Sequence, residues 1–435
     1  MGVRRSHIIV VLCVVFGLLL LDQLYLQYQL YHPQTPFAHS LQLDDVQQLI
    51  RASDDTGVTS VLFDPVIIHA FSNNAHLVNN PTVCVFLCHV VGPLIFAANY
   101  QDIKDKPLFI ARLAQLGFTV TQFTNDEGHR THIFLLRNGS PLHIVLLHWS
   151  NVGYFRQYRV TGPPQPMAKL KQYITKETWR TLNMDRAYKS LTTSEVTMDS
   201  VKMVIPSNVD SFVSSHATAK FLPCNETRAR YFKLKHPEPQ DNDQDQSFVH
   251  RSWKVLDKAR AVLDMMGIPF WLSSGTLLGY YRQCEIFPWS QDVDIGIFIE
   301  DHQFKIVEEF KKHGLKHKHT FGRLSDSYEL AFTLNGVKLD IFFFYTDGAA
   351  MWNGGCNKRG EKFKYMFPTF TLCWTEFLDM LVRVPCNTDE YIVANYGPNW
   401  FTPQKRWSYT DSPPNVVPNG YWPQEEWPEV MQTIS

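Results

Sequence analysis

The sequence predicts an α/β (α+β) protein with an N-terminal membrane-anchoring helix, a first α/β domain over 46–235 and a second domain, built on a mixed sheet, over 247–435. Short runs of apolar and aromatic residues, typical of buried strands, alternate with stretches of helical period. The segment 236–246 has no apolar side chain except proline, which indicates a linker. A chain of 435 residues is also too long for one ordinary core.

The composition excludes two classes of protein. A hydrophobic fraction of 45% with 19% charged residues is that of a folded chain, not of an extensively disordered one. The 41 basic and 42 acidic residues give a net charge of -1, and no long basic stripe occurs. Electrostatic binding to nucleic acid is therefore not expected.

The N-terminus predicts a signal anchor. Two arginines in a tail of residues 1–7 precede an apolar run, Ile8 to Leu21, and no small-residue cleavage site follows. The apolar character resumes beyond that run, so we expect a membrane span over 8–28 and a stem over 29–45. The positive tail on the cytoplasmic side gives a type II orientation, with the bulk of the chain in the lumen.

Two kinds of residue agree with a lumenal location. Asn138 and Asn225 begin glycosylation sequons. Of the eight cysteines, Cys13 lies in the apolar run, which leaves an odd number beyond it. Some disulfides are expected, with at least one thiol unpaired or intermolecular. The Cys84 and Cys88 pair could form a disulfide, stay as buried thiols or supply half of a zinc site.

Three apolar runs in the first domain predict buried strands: Val83 to Leu87, Ile133 to Leu136 and His143 to Trp149. Asn138-Gly139 favours a hairpin turn between the last two. The proline-rich segment 162–166 indicates a loop.

Four histidines of this domain could suggest a metal site, but no catalytic constellation accompanies them. His143 and His148 fall on opposite faces of one predicted strand. Ordinary polar or core histidines are the favoured interpretation; the four are His129, His132, His143 and His148.

The second domain begins with an amphipathic helix that we expect to end near Gly267. A short strand, a tight Ser-Gly turn and another helix follow. In that turn Gly275 lets the backbone come close to a ligand, and Ser274 or Thr276 can cap the helix, whose first N–H groups would face a phosphate. Arg282 is either a phosphate contact or a surface arginine.

Two carboxylates stand two residues apart in the next apolar run. Side chains at i and i+2 of a strand leave from one face, so Asp292 and Asp294 lie side by side while Val293 and Ile295 point into the core. Adjacent buried anions repel each other unless a cation neutralises them. Oxygen ligands of this kind favour Mg²⁺ or Mn²⁺.

A third carboxylate, Asp340, is the only acid of the buried run Val337 to Tyr345. Asn335-Gly336 predicts a two-residue hairpin to the preceding strand, Tyr328 to Leu334. Asp340 can thus lie on a strand beside Asp292 and Asp294, as a metal ligand or a general base. The alternative is an acid paired only with Lys338 or a nearby arginine.

Ser274-Gly275, Asp292-x-Asp294 and a later-strand Asp340 resemble the nucleotidyltransferase fold of the LicD-type phosphocholine transferases. More specifically, the region 247–435 resembles the fukutin family. The segments that carry this resemblance are Phe270–Thr276, Trp352–Gly355, Lys362–Tyr365, Thr371–Phe377 and Ser412–Val416.

The resemblance implies a Golgi enzyme that transfers ribitol 5-phosphate from CDP-ribitol to the phosphorylated O-mannosyl glycan of α-dystroglycan, with CMP leaving. It implies partners among other dystroglycan-modifying Golgi transferases, such as fukutin-related protein. The expected cofactor is Mg²⁺ or Mn²⁺. Asp292, Asp294 and Asp340 would be its ligands and the catalytic residues; Ser274, Gly275, Thr276 and Arg282 would contact the donor.

Several alternatives stay open. The basic run 311–319 could meet the phosphorylated acceptor or be a solvated helix end, and Lys362 and Lys364 could contact acceptor or cytidine. Asp-x-Asp also serves nucleotide-sugar glycosyltransferases. A non-catalytic lumenal partner of another glycosyltransferase is the remaining interpretation.

Overall fold

The computed structural model describes two compact units, the first ending at Ala217 and the second beginning at Thr218. No helix in the described part of the chain is long and apolar enough to cross a membrane. The predicted tail and anchor lie outside the described residues, which are 43–74, 84–90, 92–138, 140–237, 243–288, 290, 292–404 and 406–434.

In the described part of the first unit, nine strands form a mixed sheet with the order β3-β4-β5-β2-β1-β9-β8, and β6 joins β5 to β7. Strand β2 pairs in parallel with β5, and β1 with β9. The strands are β1 Val61–Leu62, β2 Leu94–Asn99, β3 Thr119–Thr124, β4 Arg130–Leu136, β5 Leu142–Trp149, β6 Phe155–Gln157, β7 Arg186–Tyr188, β8 Thr193–Met198 and β9 Val201–Pro206.

Two helices of this unit, Tyr100–Asp105 and Lys176–Leu182, begin at a residue whose side chain caps them. The Asn99 side chain accepts a hydrogen bond from the Gln101 N–H at the start of α3. A helix also begins at Pro164, inside the segment predicted as a loop, because proline suits the first turn of a helix. The helices are α1 Leu43–Thr56, α2 Pro65–Asn74, α3 Tyr100–Asp105, α4 Leu108–Gln115, α5 Pro164–Leu170, α6 Lys176–Leu182 and α7 Val209–Ala217, with a 3-10 turn over Leu87–His89.

The strand predicted over Val83 to Leu87 is wrong for the residues described there. Cys84 and Cys88 form a disulfide, which also settles the choice between disulfide and zinc ligand for this pair. The backbone N–H groups of residues 85–87 donate to the carboxylate of Asp199 at 2.7 to 2.9 Å. Because a side chain takes these donors, they are not available to a sheet ladder.

The other two predicted strands are confirmed as β4 and β5, which pair antiparallel. Their histidines are core residues: His132 Nδ1 lies 2.9 Å from His143 Nε2, and His132 Nε2 lies 2.7 Å from the Tyr158 carbonyl oxygen. Burial lowers the pKa of His132 to about 4 and lowers the pKa of His143 well below its ordinary value. Both rings are therefore neutral near pH 7.

In the described part of the second unit, the main sheet has the order β19-β16-β15-β14-β13-β12-β20. Strand β11 pairs in parallel with β14, and β10 pairs antiparallel with β11, so the sheet is mixed as predicted. Its strands are β10 Trp271–Leu272, β11 Asp292–Phe298, β12 Lys316–Arg323, β13 Asp326–Leu334, β14 Val337–Asp347, β15 Ala350–Cys356, β16 Glu361–Pro368, β19 Val416–Tyr421 and β20 Met431–Thr433, beside a hairpin of β17 Leu372–Phe377 and β18 Met380–Pro385.

The long helix α9 covers one part of this sheet with the apolar face predicted for it, and it ends at Met266 before Gly267, whose φ is +69°. A left-handed glycine there matches the expected helix stop. The helices are α8 Glu226–Lys235, α9 Asp243–Met266, α10 Ser274–Gln283, α11 Ile306–Lys312, α12 Thr388–Tyr396 and α13 Trp427–Val430, with 3-10 turns over Ile299–Asp301 and Gln424–Glu426.

The boundary between the units lies earlier in the chain than the linker predicted over 236–246. Residues from Thr218 onward belong to the second unit, because a disulfide joins Cys224 to Cys284 at the end of α10. The hydroxyl of Tyr280 also donates to the carbonyl of Leu222. The last four residues of the predicted linker already belong to α9.

The cysteines and sequons fit the expected pattern. Within the described residues the disulfides are Cys84–Cys88, Cys224–Cys284 and Cys373–Cys386, and Cys356 is a free, half-buried thiol. Asn138 and Asn225 have exposed side chains. The Asn225 oxygen caps α8 by accepting from the Arg228 N–H.

Candidate active site

Three carboxylates meet at the junction of β11 and β14. The parallel register places Asp294 directly beside Asp340, with Asp292 two residues earlier on the same face of β11. One oxygen from each carboxylate lies within 4.8 Å of the others. The left-handed turn Asn335-Gly336, with φ of +53° and +77°, sets the start of β14 as the sequence predicts.

Without a bound cation, the three carboxylates of this cluster repel one another. Burial, together with the charges of Asp292 and Asp340, raises the pKa of Asp294 well above its ordinary value. Burial and the nearby Glu329 carboxylate raise the pKa of Asp340 to about 7. Lys338 Nζ lies 2.8 Å from Asp340 Oδ1, so the predicted ion pair exists within the cluster. One ammonium cannot balance three carboxylates, and an all-oxygen set of this kind fits Mg²⁺ or Mn²⁺.

The Ser-Gly turn before α10 holds Asp294 in place. The Gly275 N–H donates to Asp294 Oδ2 at 3.0 Å, and the Asp294 N–H donates to Thr276 Oγ1 at 2.8 Å. A Cβ on Gly275 would come within 3.3 Å of the same Oδ2. In the structure Gly275 and Thr276 therefore position the carboxylate of Asp294. The sequence predicted instead that N–H groups of this turn face a phosphate.

The cap of α10 also differs from the prediction. The residue at the N-cap is Ser273, not Ser274 or Thr276, and its hydroxyl lies 2.9 Å from the Tyr391 hydroxyl. Ser274 has a φ of +42°, which is rare for a residue with a side chain, and it lines the cavity described next. Backbone strain of this kind clusters at functional sites.

The carboxylates form one wall of a cavity of about 1240 Å³. This exceeds the roughly 300 to 1,000 Å³ of an ordinary small-molecule site, so there is room for two substrates. Amide side chains such as Asn353 and Asn395 also line it. Aromatic side chains supply much of the remaining wall: Phe287, Tyr365, Tyr396, Trp400, Trp407 and Tyr409.

Arg282 lines the same cavity and is a buried residue, so the surface alternative is wrong. Its guanidinium lies between the rings of Phe232 and Phe287, at 4.4 and 4.6 Å from their centroids. It also donates to the Trp400 carbonyl at 3.5 Å. Contacts with two rings and a carbonyl restrict the direction of the guanidinium.

The sequence did not single out Glu329, and it included His319 only as the last residue of the basic run 311–319. His319 Nε2 lies 3.1 Å from Glu329 Oε1, and both side chains are largely buried. With Asp340 they form a second group whose ligand atoms lie within 4.8 Å of one another. A signal for Glu329 existed, because the Asn335-Gly336 hairpin places it on the Asp340 face of the sheet.

Lys362 and Lys364 do not line this cavity. Lys362 pairs with Asp326 at 2.6 Å, and Lys364 lies 4.0 Å over the Trp352 ring. Tyr365, which points the other way on β16, does line the cavity. Of the basic run 311–319, only His319 reaches it among the described residues.

The comparisons with known proteins agree with this geometry. Residues 267–387, which include all three aspartates, match the family described as LicD/FKTN/FKRP, nucleotidyltransferase domain. The chain is 38% identical over 410 residues to ribitol-5-phosphate transferase FKTN of Homo sapiens, covering 90% of this chain and 88% of the relative. The Mus musculus protein of that name matches to the same extent. Ribitol 5-phosphate transferase FKRP of Homo sapiens is 50% identical over 40 residues, 9% of this chain and 8% of the relative. The chain therefore belongs to the fukutin (FKTN) family, whose members carry a LicD-type nucleotidyltransferase domain.

Proposed function

We propose that this chain is a Golgi type II membrane transferase that moves ribitol 5-phosphate from CDP-ribitol onto the phosphorylated O-mannosyl glycan of α-dystroglycan, releasing CMP. The observation that carries the proposal is the carboxylate cluster of Asp292, Asp294 and Asp340 on the wall of a two-substrate cavity. It lies in a chain 38% identical to relatives named ribitol-5-phosphate transferase.

The three carboxylates would hold Mg²⁺ or Mn²⁺, which would neutralise the oxygens of the donor diphosphate and the charge that develops on the departing CMP. The chain positions these ligands in advance. Gly275 and Thr276 hold Asp294, and Lys338 holds Asp340. Fixed ligands do not need to reorganise during the reaction, which is a large part of electrostatic catalysis.

In the proposed reaction, a hydroxyl oxygen of the acceptor forms a bond to the phosphorus that carries ribitol, and the bond from that phosphorus to the CMP oxygen breaks. The hydroxyl proton must go to a base. We assign that role to Asp340, which lines the cavity beside Asp292 and Asp294. Arg282, held between two rings on the cavity wall, would contact the donor phosphates.

The cavity also suits the rest of the donor. Its aromatic side chains offer flat faces on which cytosine could stack, and Trp400 and Trp407 are the largest of them. Ser274, at the strained turn, faces the same space as the carboxylates and would contact a donor phosphate.

Three features support a lumenal location and a single-pass anchor. The apolar run lies within the first 28 residues, three disulfides occur in the described chain, and both sequon asparagines are exposed. In the Golgi the enzyme would act beside other dystroglycan-modifying transferases such as fukutin-related protein, with no role for nucleic acid.

The test is a donor panel. Purified full-length protein in detergent is mixed with a phosphorylated O-mannosyl glycopeptide, Mg²⁺ or Mn²⁺, and either CDP-ribitol, CDP-glycerol or a UDP-sugar. Mass spectrometry should detect the addition of ribitol phosphate from CDP-ribitol alone. A sugar added from a UDP-sugar would instead identify a glycosyltransferase, and no product with any donor would indicate a non-catalytic partner.

A further inference from the structure

A second, smaller cavity of about 500 Å³ adjoins the active site. Ser290, His319 and Lys338 line both cavities, so the two spaces share a wall. The helix α9, the strands β12, β13 and β20 and the turn before β14 supply the remaining lining. The other lining residues are Phe248, Arg251, Lys318, Thr333, Gly336 and Thr433.

The charged side chains that line this cavity are cations, and that of Lys338 is paired with Asp340 of the active site. Arg251, Lys318 and Lys338 are cations, and no residue in the described part of its lining is acidic. Arg251 is held by neutral groups: its Nε donates to the Ser247 carbonyl at 3.2 Å and its Nη1 to the Asn335 carbonyl at 3.1 Å. Those contacts fix the guanidinium but leave its positive charge uncompensated by the carbonyls.

Lys318 reaches the cavity because β12 is irregular at this point. The pairing of β12 with β13 shifts between His317 and His319, which makes Lys318 the extra residue of a β-bulge. A bulge redirects a side chain, so Lys318 lines the same cavity as its neighbour His319. The backbone there is fixed, since the Lys318 carbonyl accepts from the Ile434 N–H at 2.8 Å. Lys316, two residues earlier and exposed like Lys318, lines neither cavity.

We infer that this cavity binds the phosphate ester of the acceptor glycan and so places the acceptor hydroxyl at the carboxylate cluster. The inference rests on the proposed function. An acceptor that carries a phosphate is repelled by three carboxylates and by the donor diphosphate. A cationic pocket beside them offsets that repulsion. Lys338 connects the two sites, because its Nζ lies 2.8 Å from Asp340 Oδ1 while its side chain also lines the smaller cavity.

Steady-state kinetics of the full-length enzyme test the assignment. In Lys318→Ala and Arg251→Ala the KM for the phosphorylated glycopeptide should rise about tenfold or more, since a charge-assisted hydrogen bond to phosphate is lost. The KM for CDP-ribitol should not change. Lys316→Ala, which removes an equal charge from the same strand outside the cavity, should leave both values unchanged. An unchanged acceptor KM would overturn the assignment, and an equal rise in both KM values would assign the cavity to the donor.

Direct binding separates this inference from the proposed function. Calorimetry without donor compares the phosphorylated glycopeptide with its dephosphorylated form. Wild-type protein should prefer the phosphorylated form by about tenfold or more, less so at high salt, and both variants should lose that preference. If no donor supports transfer while this pattern holds, the proposed function fails and the anion site stands. Equal binding of the two glycopeptides by wild-type protein refutes the site. Thermal scans confirm that the variants are folded.

Discussion

Both units of the chain bury titratable side chains in a mixed sheet, but the surroundings of those side chains differ. In the first unit His132 and His143 contact each other, and His132 also contacts a backbone carbonyl. In the second unit Asp294 and Asp340 lie side by side with like charge at the wall of a large cavity. Burial shifts the pKa of each residue toward its neutral form in both units.

The difference separates a structural cluster from a functional one. A neutral histidine pair carries no charge into the sheet, and three of its four ring nitrogens have hydrogen-bond partners there. Carboxylates that repel each other destabilise the fold unless a ligand compensates them. A cluster whose like charges destabilise the fold and that opens onto a cavity is therefore a better indication of function than burial or an altered pKa alone.

The largest expected effect comes from removing one charge of the functional cluster. Asp294→Asn should lower kcat/KM for ribitol phosphate transfer by at least about a thousandfold, equivalent to roughly 4 kcal/mol of transition-state stabilisation. In EDTA at pH 7 its Tm should not fall. The folded-state pKa of Asp294 is raised, so the ionised form disfavours folding above the unfolded pKa, and neutralisation relieves that cost.

The matched control is Asp347→Asn, an exposed aspartate at the far end of β14, the strand that carries Asp340. It should retain both activity and Tm. Mn²⁺ should raise the Tm of wild-type protein and of Asp347→Asn but not that of Asp294→Asn, because only an intact cluster binds the ion. Retention of most activity by Asp294→Asn would refute the site.

The histidine pair should give the opposite pH response. The folded-state pKa values of His132 and His143 lie below their unfolded values, so the unfolded chain binds more protons as pH falls below about 6.5. From pH 7 to 5 we expect about 2 kcal/mol of stability to be lost from His132 alone. Protection factors of peptides covering β4 and β5, which correct for the pH dependence of intrinsic amide exchange, should fall accordingly.

Peptides covering β13 and β14 serve as the internal control, measured in EDTA. Their protection factors should not fall over the same pH range, because protonation of Asp340 at its raised pKa favours the folded state. Replacing both histidines by glutamine should remove the acid sensitivity of β4 and β5. Equal acid sensitivity of both regions in the wild-type protein would contradict the distinction between the two clusters.

The sequence predicted those parts of the site that follow from local rules. Strand alternation put Asp292 and Asp294 on one face, and the Asn335-Gly336 turn set the register of β13 with β14. That same register places Glu329 on the same face of the sheet as Asp340. The position of Glu329 could therefore have been deduced by counting residues back from the turn.

The remaining parts depend on contacts between distant segments. The bulge that directs Lys318 into the smaller cavity has no local glycine or proline signal. The N–H groups of residues 85–87 are bound by Asp199, more than a hundred positions away. The hydrogen bond from the Gly275 N–H to Asp294 also depends on how α10 packs on β11. Patterns of single residues do not contain this information, which is why the sequence predicted a strand at residues 83–87 and did not predict the contact between Gly275 and Asp294.

The smallest expected effect tests whether the turn before α10 positions Asp294. In Gly275→Ala the new Cβ would meet Asp294 Oδ2 at 3.3 Å, close enough to displace the carboxylate by a few tenths of an ångström. Activity at limiting Mn²⁺ should fall about tenfold, or roughly 1.4 kcal/mol. It should recover largely at saturating Mn²⁺, because the displaced ligand weakens ion binding more than it changes the chemistry. The Tm should stay constant or rise, since alanine is favoured over glycine by about 1 kcal/mol within a helix. A loss of kcat that no Mn²⁺ concentration restores would instead mean that the Gly275 backbone contacts the substrate itself, as the sequence alone had suggested.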